Sequence, residues 1–264
     1  MQLEEDEDKG QRGIQSIEVG GRLLQALTDR AGPMSLQDLA AAAELPASRA
    51  HPYLVSFGKL GLVEQDAHTG RYALGAMALQ MGLACLHQSD PIKAATPVAE
   101  ALAERLGESV VIAVWANFGP TVVRLIDGSQ PLHVNMRAGT VMAVLGTATG
   151  RAFAAVLPTS QIEQAMRVHG DAVRADRSTV KNLARELKQI TAEFRSHGVT
   201  RALGRPIPGV NAFSAPAFDH EGHAALVITA LGHEDTFAPD WSSNNAIGVQ
   251  QAAAEVSARL GFRA

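Results

Sequence analysis

Apolar residues recur at helical spacing through the first part of the chain, and the period then shortens to that of a strand. Ile17, Leu23, Leu24 and Leu27 share one side of a helix over 15–30. Gly32-Pro33 ends it. Ser35 opens a second helix and pairs with Asp38 in a Ser-x-x-acid capping pattern, where the hydroxyl satisfies an orphan backbone N–H. Leu36, Leu39, Ala40 and Ala43 form its apolar face, and Glu44-Leu45-Pro46 turns the chain. A third helix runs over 47–60, with Leu54, Phe57 and Leu60 inward and Gly61 as its stop. Residues 62–65 read as a strand, His68-Thr69-Gly70 as a turn and 71–74 as the returning strand. Three short helices and a small hairpin make a winged helix-turn-helix, a device whose second helix fits the major groove of DNA.

One residue disturbs this pattern. Pro52 falls inside the third helix, where a proline removes a hydrogen bond and crowds the preceding turn. A proline is at home in the first turn, where N–H groups have no intrahelical partner. The expectation is therefore that the regular recognition helix starts at Pro52, with His51 at or before its first turn and Ser48 and Arg49 on a tight turn.

Beyond the hairpin, residues 75–90 read as an apolar helix with Leu79, Leu83 and Leu86 on one face. Such a face suits pairing with a second copy of the chain. A further helix over 91–107 carries Val98, Leu102 and Leu106 and stops at Gly107. From 108 the pattern becomes mixed. Strands are expected at 109–115, 121–127, 132–137, 212–218 and 224–231. Helices are expected at 148–157, at 160–169 with a Ser160/Glu163 cap, along the Leu183, Leu187, Ile190, Phe194 stripe, and along Val249, Ala253, Val256 and Leu260. Hairpin-like strands with segregated helices indicate an α+β fold whose sheet is mainly antiparallel.

Composition narrows the class. The chain has 264 residues, 46% hydrophobic and 19% charged, enough for one large or two ordinary domains. No apolar run reaches the ~18 residues of a membrane span, and MQLEEDEDKGQRG lacks the order of a secretory signal. Residues 1–12, with acids from Glu4 to Asp8, read as a disordered tail. The single cysteine, Cys85, leaves no intramolecular disulfide framework and suits a cytoplasmic protein. The net charge of −4 argues against a generic nucleic-acid binder, but no acid lies between Glu44 and Glu64, where Arg49, His51 and Lys59 stand. Candidate DNA contacts are Ser35, Gln37, Ser48, Arg49, His51, Tyr53, Lys59, Thr69 and Arg71.

From about residue 13 onward the chain resembles the IclR family of bacterial transcriptional regulators. The first segment that carries the likeness is "SLQDLAAAAELPASRAHPYLVSFGKLGLVEQDAHTGRYALG", with a helix-turn-helix closing on LGLVE and a wing containing TGRYALG. The others are "GTATGRAFAAVLP" and "HGVTRALGRPIPGVNAFSAPAFDHEGHAALVITALG". The resemblance implies a winged helix-turn-helix over 13–75, a linker helix over 76–92 and a GAF-like effector domain over 93–264. It further implies dimers or tetramers that bind operator DNA and respond to a small organic molecule, with small oxo-acids and aromatic compounds as ligand classes.

The resemblance also places effector contacts at Trp115, Met142, Leu145, Gly146, Thr147, Ala148, Thr149, Gly150, Ala202, Ala212, Thr229 and Leu231. The chain departs from the family here. Where oxo-acid-binding members carry an acid, a cysteine and two hydroxyls, it has Ala202, Ala212, Thr229 and Leu231. Three of the four positions are apolar, so a small, doubly polar ligand would leave polar groups unpaired. The pocket suits an apolar or aromatic body, with a carboxylate at the helix N-terminus around Thr147–Gly150.

Asp219, His220 and His223 in DHEGH read as a polar hairpin turn, and no metal or cofactor is expected. No Ser-His-Asp elbow, phosphate loop or catalytic carboxylate pair appears, so the chain does not read as an enzyme. The competing readings are a stand-alone small-molecule sensor and, more distantly, a hydrolase-like enzyme.

Overall fold

The computed structural model describes residues 13–169 and 183–263 except positions 31, 131, 133 and 135. The expected acidic tail, 1–12, lies outside the described residues. The chain divides into two compact units, one ending at Gln88 and the other starting at Ser89.

The first unit holds helices α1 (Gln15–Asp29), α2 (Leu36–Ala42) and α3 (Ala47–Lys59), strands β1 (Val63–Gln65) and β2 (Tyr72–Leu74), and helix α4 (Ala76–Gln88). Leu23, Leu39, Ala50, Leu54, Val63 and Tyr72 form its core. Each fully buried large side chain there contributes about 1.5–3 kcal/mol. Ser35 caps α2 as expected, its hydroxyl accepting from the Asp38 N–H at 3.1 Å. The α2–α3 turn is closed by two bonds, Leu45 N–H to the Ala40 carbonyl at 2.9 Å and Glu44 N–H to the Ala41 carbonyl at 3.1 Å. This is a Schellman closure, in which the residue past the helix is left-handed. Glu44 takes that place at φ 55°, where glycine is usual.

Pro52 does not start the recognition helix. The helix is regular from Ala47, because Arg49 and Ala50 already donate to the Pro46 carbonyl at 2.9 and 3.0 Å. Ser48, Arg49 and His51 are helical, and Pro52 is an interior residue. Tertiary packing overrides the propensity. Ala50 and Leu54 are buried on the inner face, while Pro52 faces outward. Only one hydrogen bond is forfeited, the one its missing N–H would have made to the Ser48 carbonyl, on the solvent side.

The second unit has α5 (Pro91–Leu106), β3 (Ser109–Ala116), β4 (Gly119–Ile126), α6 (Ala148–Val156), α7 (Thr159–His169), α8 (Leu183–His197), β5 (Thr200–Leu203), β6 (Val210–Phe218), β7 (Ala224–His233) and α9 (Asn244–Arg259). Asp90 caps α5, whose first residues are Pro91 and Ile92. The sheet runs β4-β3-β7-β6-β5, with every neighbouring pair antiparallel. Period-2 alternation sorts its side chains. Val110, Ile112, Phe213, Ile228 and Ala230 pack with α5 and α9. Val111, Ala113, Val227 and Leu231 face the other way with Ala152 and Phe153 of α6.

Two expectations need correction here. The described residues of 132–137 lie in no strand. Leu132, Val134 and Met136 instead lie against the α6-side core as irregular chain. Ser160 does not cap α7, which begins a residue earlier, with Gln161 and Ile162 donating to the Pro158 carbonyl. Strand β5 was not anticipated.

Candidate functional site

In the first unit the exposed face of α3 is the chemically distinctive surface. At about 100° per residue, Ser48, Pro52, Ser56 and Lys59 fall on one outward stripe with Arg49 beside it, all exposed. His51 is exposed on another side, where it lines a shallow dent with Val63 and Gln65 of the hairpin. Tyr53 is half-buried and packs close to Gly20 of α1, so its ring supports the helix pair. Gln37 is exposed in the first turn of α2, whereas the Ser35 hydroxyl is engaged by its cap.

The wing turn is organised by Asp66. Its carboxylate accepts from the Thr69 N–H and hydroxyl and the His68 N–H at 2.6, 2.8 and 3.0 Å. These bonds, the Thr69 N–H foremost, hold the Asp66 carboxyl below its usual pKa. Thr69 therefore spends its hydroxyl proton on the turn. Arg71 follows on the hairpin, exposed, with one guanidinium N–H on the Pro33 carbonyl at 3.3 Å.

In the second unit a narrow cavity of about 50 Å³ opens beside the start of α6. It brings together eight expected positions, namely Met142, Thr147, Ala148, Thr149, Ala202, Ala212, Thr229 and Leu231. The other four expected positions do not line it. Trp115 packs edge-on against Phe153 at 5.5 Å. Leu145 joins the cluster under α7 and α8, and Gly146 sits beside Ala143. Gly150 lies so close to the Ala143 and Val144 carbonyls that no Cβ would fit. Val111, Met136, Val210 and the segment Arg205-Pro206-Ile207 complete the lining and were not anticipated. For Val111 the signal was available, because it shares its strand face with Ala113 and faces α6. The Arg205 segment carried no such periodic signal.

The cavity floor is a buried hydroxyl chain. Thr229 sits 2.8 Å from the Thr149 hydroxyl and 2.7 Å from that of Ser214. All three residues are buried. Three hydroxyl protons serve two contacts, which leaves one over; carried by Thr149 or Thr229, which line the cavity, it can face a guest. Beside it Thr147 caps α6, accepting from the Gly150 N–H at 2.9 Å. The N–H groups of Ala148 and Thr149 have no carbonyl one turn back within the helix, the arrangement that makes a helix start receptive to anions. Thr200 fixes this end by donating to the Ala148 carbonyl at 2.8 Å. Arg151 bridges α6 to Glu193 of α8 at 2.9 Å, and Glu193 accepts from the Arg201 N–H of β5 at 3.3 Å.

Asp219, Glu221 and His223 place ligand atoms within 4.8 Å of one another. The Asp219 carboxylate accepts from the Glu221 and His223 N–H groups at 2.9 Å each, which is the work of a turn. Among the described residues no helix is long and apolar enough to cross a membrane.

Comparison with known proteins bears on both sites. Residues 16–67 match the IclR helix-turn-helix domain, and residues 83–258 match the bacterial transcriptional regulator IclR C-terminal domain. The chain is 26% identical to the transcriptional repressor IclR of Escherichia coli strain K12, over 94% of this chain and 90% of that protein. It is 26% identical to the glycerol operon regulatory protein of Streptomyces griseus, over 95% and 98%. The crystal structure of Pseudomonas aeruginosa HmgR superposes with a TM-score of 0.85 at 32% identity, covering 94% of this chain and 99% of that one. With a helix-turn-helix and a C-terminal domain both matched in order along one chain, the protein belongs to the IclR family of bacterial transcriptional regulators.

Proposed function

We propose that this regulator binds operator DNA through α3 and the β1–β2 wing, and that a small organic acid, aromatic or otherwise apolar in body, occupies the cavity beside α6. The observation that carries the effector assignment is the cavity's lining. Its walls are apolar, at Val111, Met136, Met142, Ala202, Ala212 and Leu231, and its floor offers hydroxyls and a helix N-terminus. Such a site holds an apolar body by its walls and an acceptor group by its floor. A drug-sized ligand needs about 300 Å³ or more, so the cavity of about 50 Å³ must widen on binding. A small organic acid as effector would suit a regulator of a catabolic operon acting in the cytoplasm, and that is the role we infer.

On the DNA side, Arg49 at the start of α3 reads base edges, while Lys59 and Arg71 contact phosphate. Ser48, Gln37 and Ser35 stand near the same approach, and His51, Tyr53 and Thr69 support it. We assign 13–75 to DNA binding, 76–92 to the linker and 93–264 to effector binding. The regulator acts as a dimer, because α4 has no buried residue and presents Leu79 and Met81 at 65% and 55% exposure. A monomer in light scattering at micromolar concentration contradicts this.

The DNA assignment is tested by fluorescence anisotropy with the protein's own promoter over a salt series. Arg71→Ala is expected to weaken all sequences alike and to lower the salt slope by about one unit. Arg49→Ala is expected to cost about 1–3 kcal/mol and to relax sequence preference. Equal binding of promoter and unrelated DNA by the wild type contradicts the reading.

A further inference from the structure

We propose that Arg205 is the charge-selecting residue of the effector cavity, holding the effector's anionic group at the open end while the apolar walls take its body and the hydroxyl floor meets a further acceptor group on that body. The proposal rests on the effector-binding reading above and adds to it the residue that sets the ligand's charge.

Arg205 is the one charged side chain among the described residues that line the cavity, and no carboxylate lines it. Among the described residues it enters no ion pair, although exposed arginines elsewhere in the same unit, such as Arg124 and Arg259, are paired with acids at 3.1 and 2.7 Å. The two ends of the cavity differ in exposure. Thr149 and Thr229 at the floor are 0% and 2% exposed, whereas Arg205 is exposed. A guanidinium at the open end can therefore meet an incoming anion in water and remain on it as the apolar body is buried.

The segment that carries Arg205 is also fixed at its base. Gly204 and Gly209 bracket it, both with positive φ, at 59° and 77°. The Gly204 N–H donates to the Val210 carbonyl at 2.9 Å and to the Asn211 side-chain oxygen at 3.2 Å. Asn211 is itself buried and donates to the Phe237 carbonyl at 3.3 Å. The stem is thereby held at the cavity's edge, which reduces the ordering that a charge contact at Arg205 requires.

The test is a thermal-shift titration of the full chain with benzoate, phenylacetate and pyruvate, each against its neutral primary amide. Wild type, Arg205→Gln and Arg205→Lys are compared. A ligand that binds only the folded state raises the melting temperature. The expected result is that at least one acid acts on the wild type at about tenfold lower concentration than its amide, as a charge-assisted contact implies. Arg205→Gln is expected to erase that advantage while leaving the amide's effect, and Arg205→Lys to retain most of it. An acid advantage that survives Arg205→Gln overturns the proposal, placing charge recognition at α6. Equal loss of acid and amide in Arg205→Gln also overturns it, making Arg205 part of the wall only, as does equal action of acid and amide on the wild type. If neither acids nor amides shift the wild type, the effector-cavity reading fails first and this proposal falls with it.

Discussion

At the scale of single residues, Pro52 and Glu108 each sit where their chemistry is unfavourable, and each has a measurable consequence. Pro52 costs the recognition helix a hydrogen bond and contributes nothing to the buried face formed by Ala50 and Leu54. Pro52→Ala is therefore expected to raise the first unit's melting temperature. The ceiling is about 3 kcal/mol, and each kcal/mol corresponds to roughly 4–8 °C in a unit of this size. An unchanged melting temperature contradicts a helix continuous from Ala47. The sequence invited the opposite expectation because proline's local preference is visible in a string of letters, and the inward packing that overrides it is not. Glu108 is 4% exposed, and a side chain at Gly232 would collide with its carboxylate. Burial raises its pKa above the usual 4.5. The folded chain then keeps this proton to higher pH than the unfolded chain. Stability falls as pH rises through the window between 4.5 and the raised value, and the loss persists above it. Glu108→Gln cannot ionise and removes the loss. Melts from pH 4 to 8 are expected to show the variant more stable at neutral pH, with the difference vanishing toward pH 4. A constant difference across the range contradicts the assignment.

At the scale of elements, the best-read parts of the sequence were those with a local physical signature. The Ser35 cap, the α3–hairpin sequence and the Leu183, Leu187, Ile190 stripe are all present, because capping and 3.6-residue periodicity are written in neighbouring residues. The 132–137 segment shows the limit. Its alternation of Leu132, Val134 and Met136 is that of a strand, but these side chains serve the α6-side core, and the described residues of the segment lie in no strand. The cavity was legible through the family resemblance, which pointed to Ala212, Thr229 and Leu231 and to the start of α6. It was not legible where a loop folds back over it, at Arg205 and Ile207. The hydroxyl chain joining α6, β6 and β7 belongs to this scale. Thr229→Val keeps the shape but removes the partner of both Thr149 and Ser214. Leaving buried hydroxyls unpaired is expected to cost about 1–3 kcal/mol, read as a lower melting temperature, and to weaken acid binding. Thr229→Ser, which keeps the hydroxyl, is expected to restore most of the binding. If Thr229→Val leaves both properties unchanged, the chain neither supports the floor nor recognises the ligand.

At the scale of the whole molecule, two separately cored units divide the labour. The first presents an outward helix and wing, and the second a cavity whose floor is tied into its sheet. A regulator needs more than two sites. It needs binding at one to change affinity at the other, and such coupling is reciprocal. The most direct test measures both directions on one preparation. Promoter affinity is determined by anisotropy with and without an acid that raises the melting temperature, and the acid's affinity is determined with and without promoter DNA. The account predicts that the two ratios agree and differ from one by about 5-fold or more. An acid that fills the cavity but leaves promoter affinity unchanged would contradict the claim that this chain is a ligand-responsive regulator.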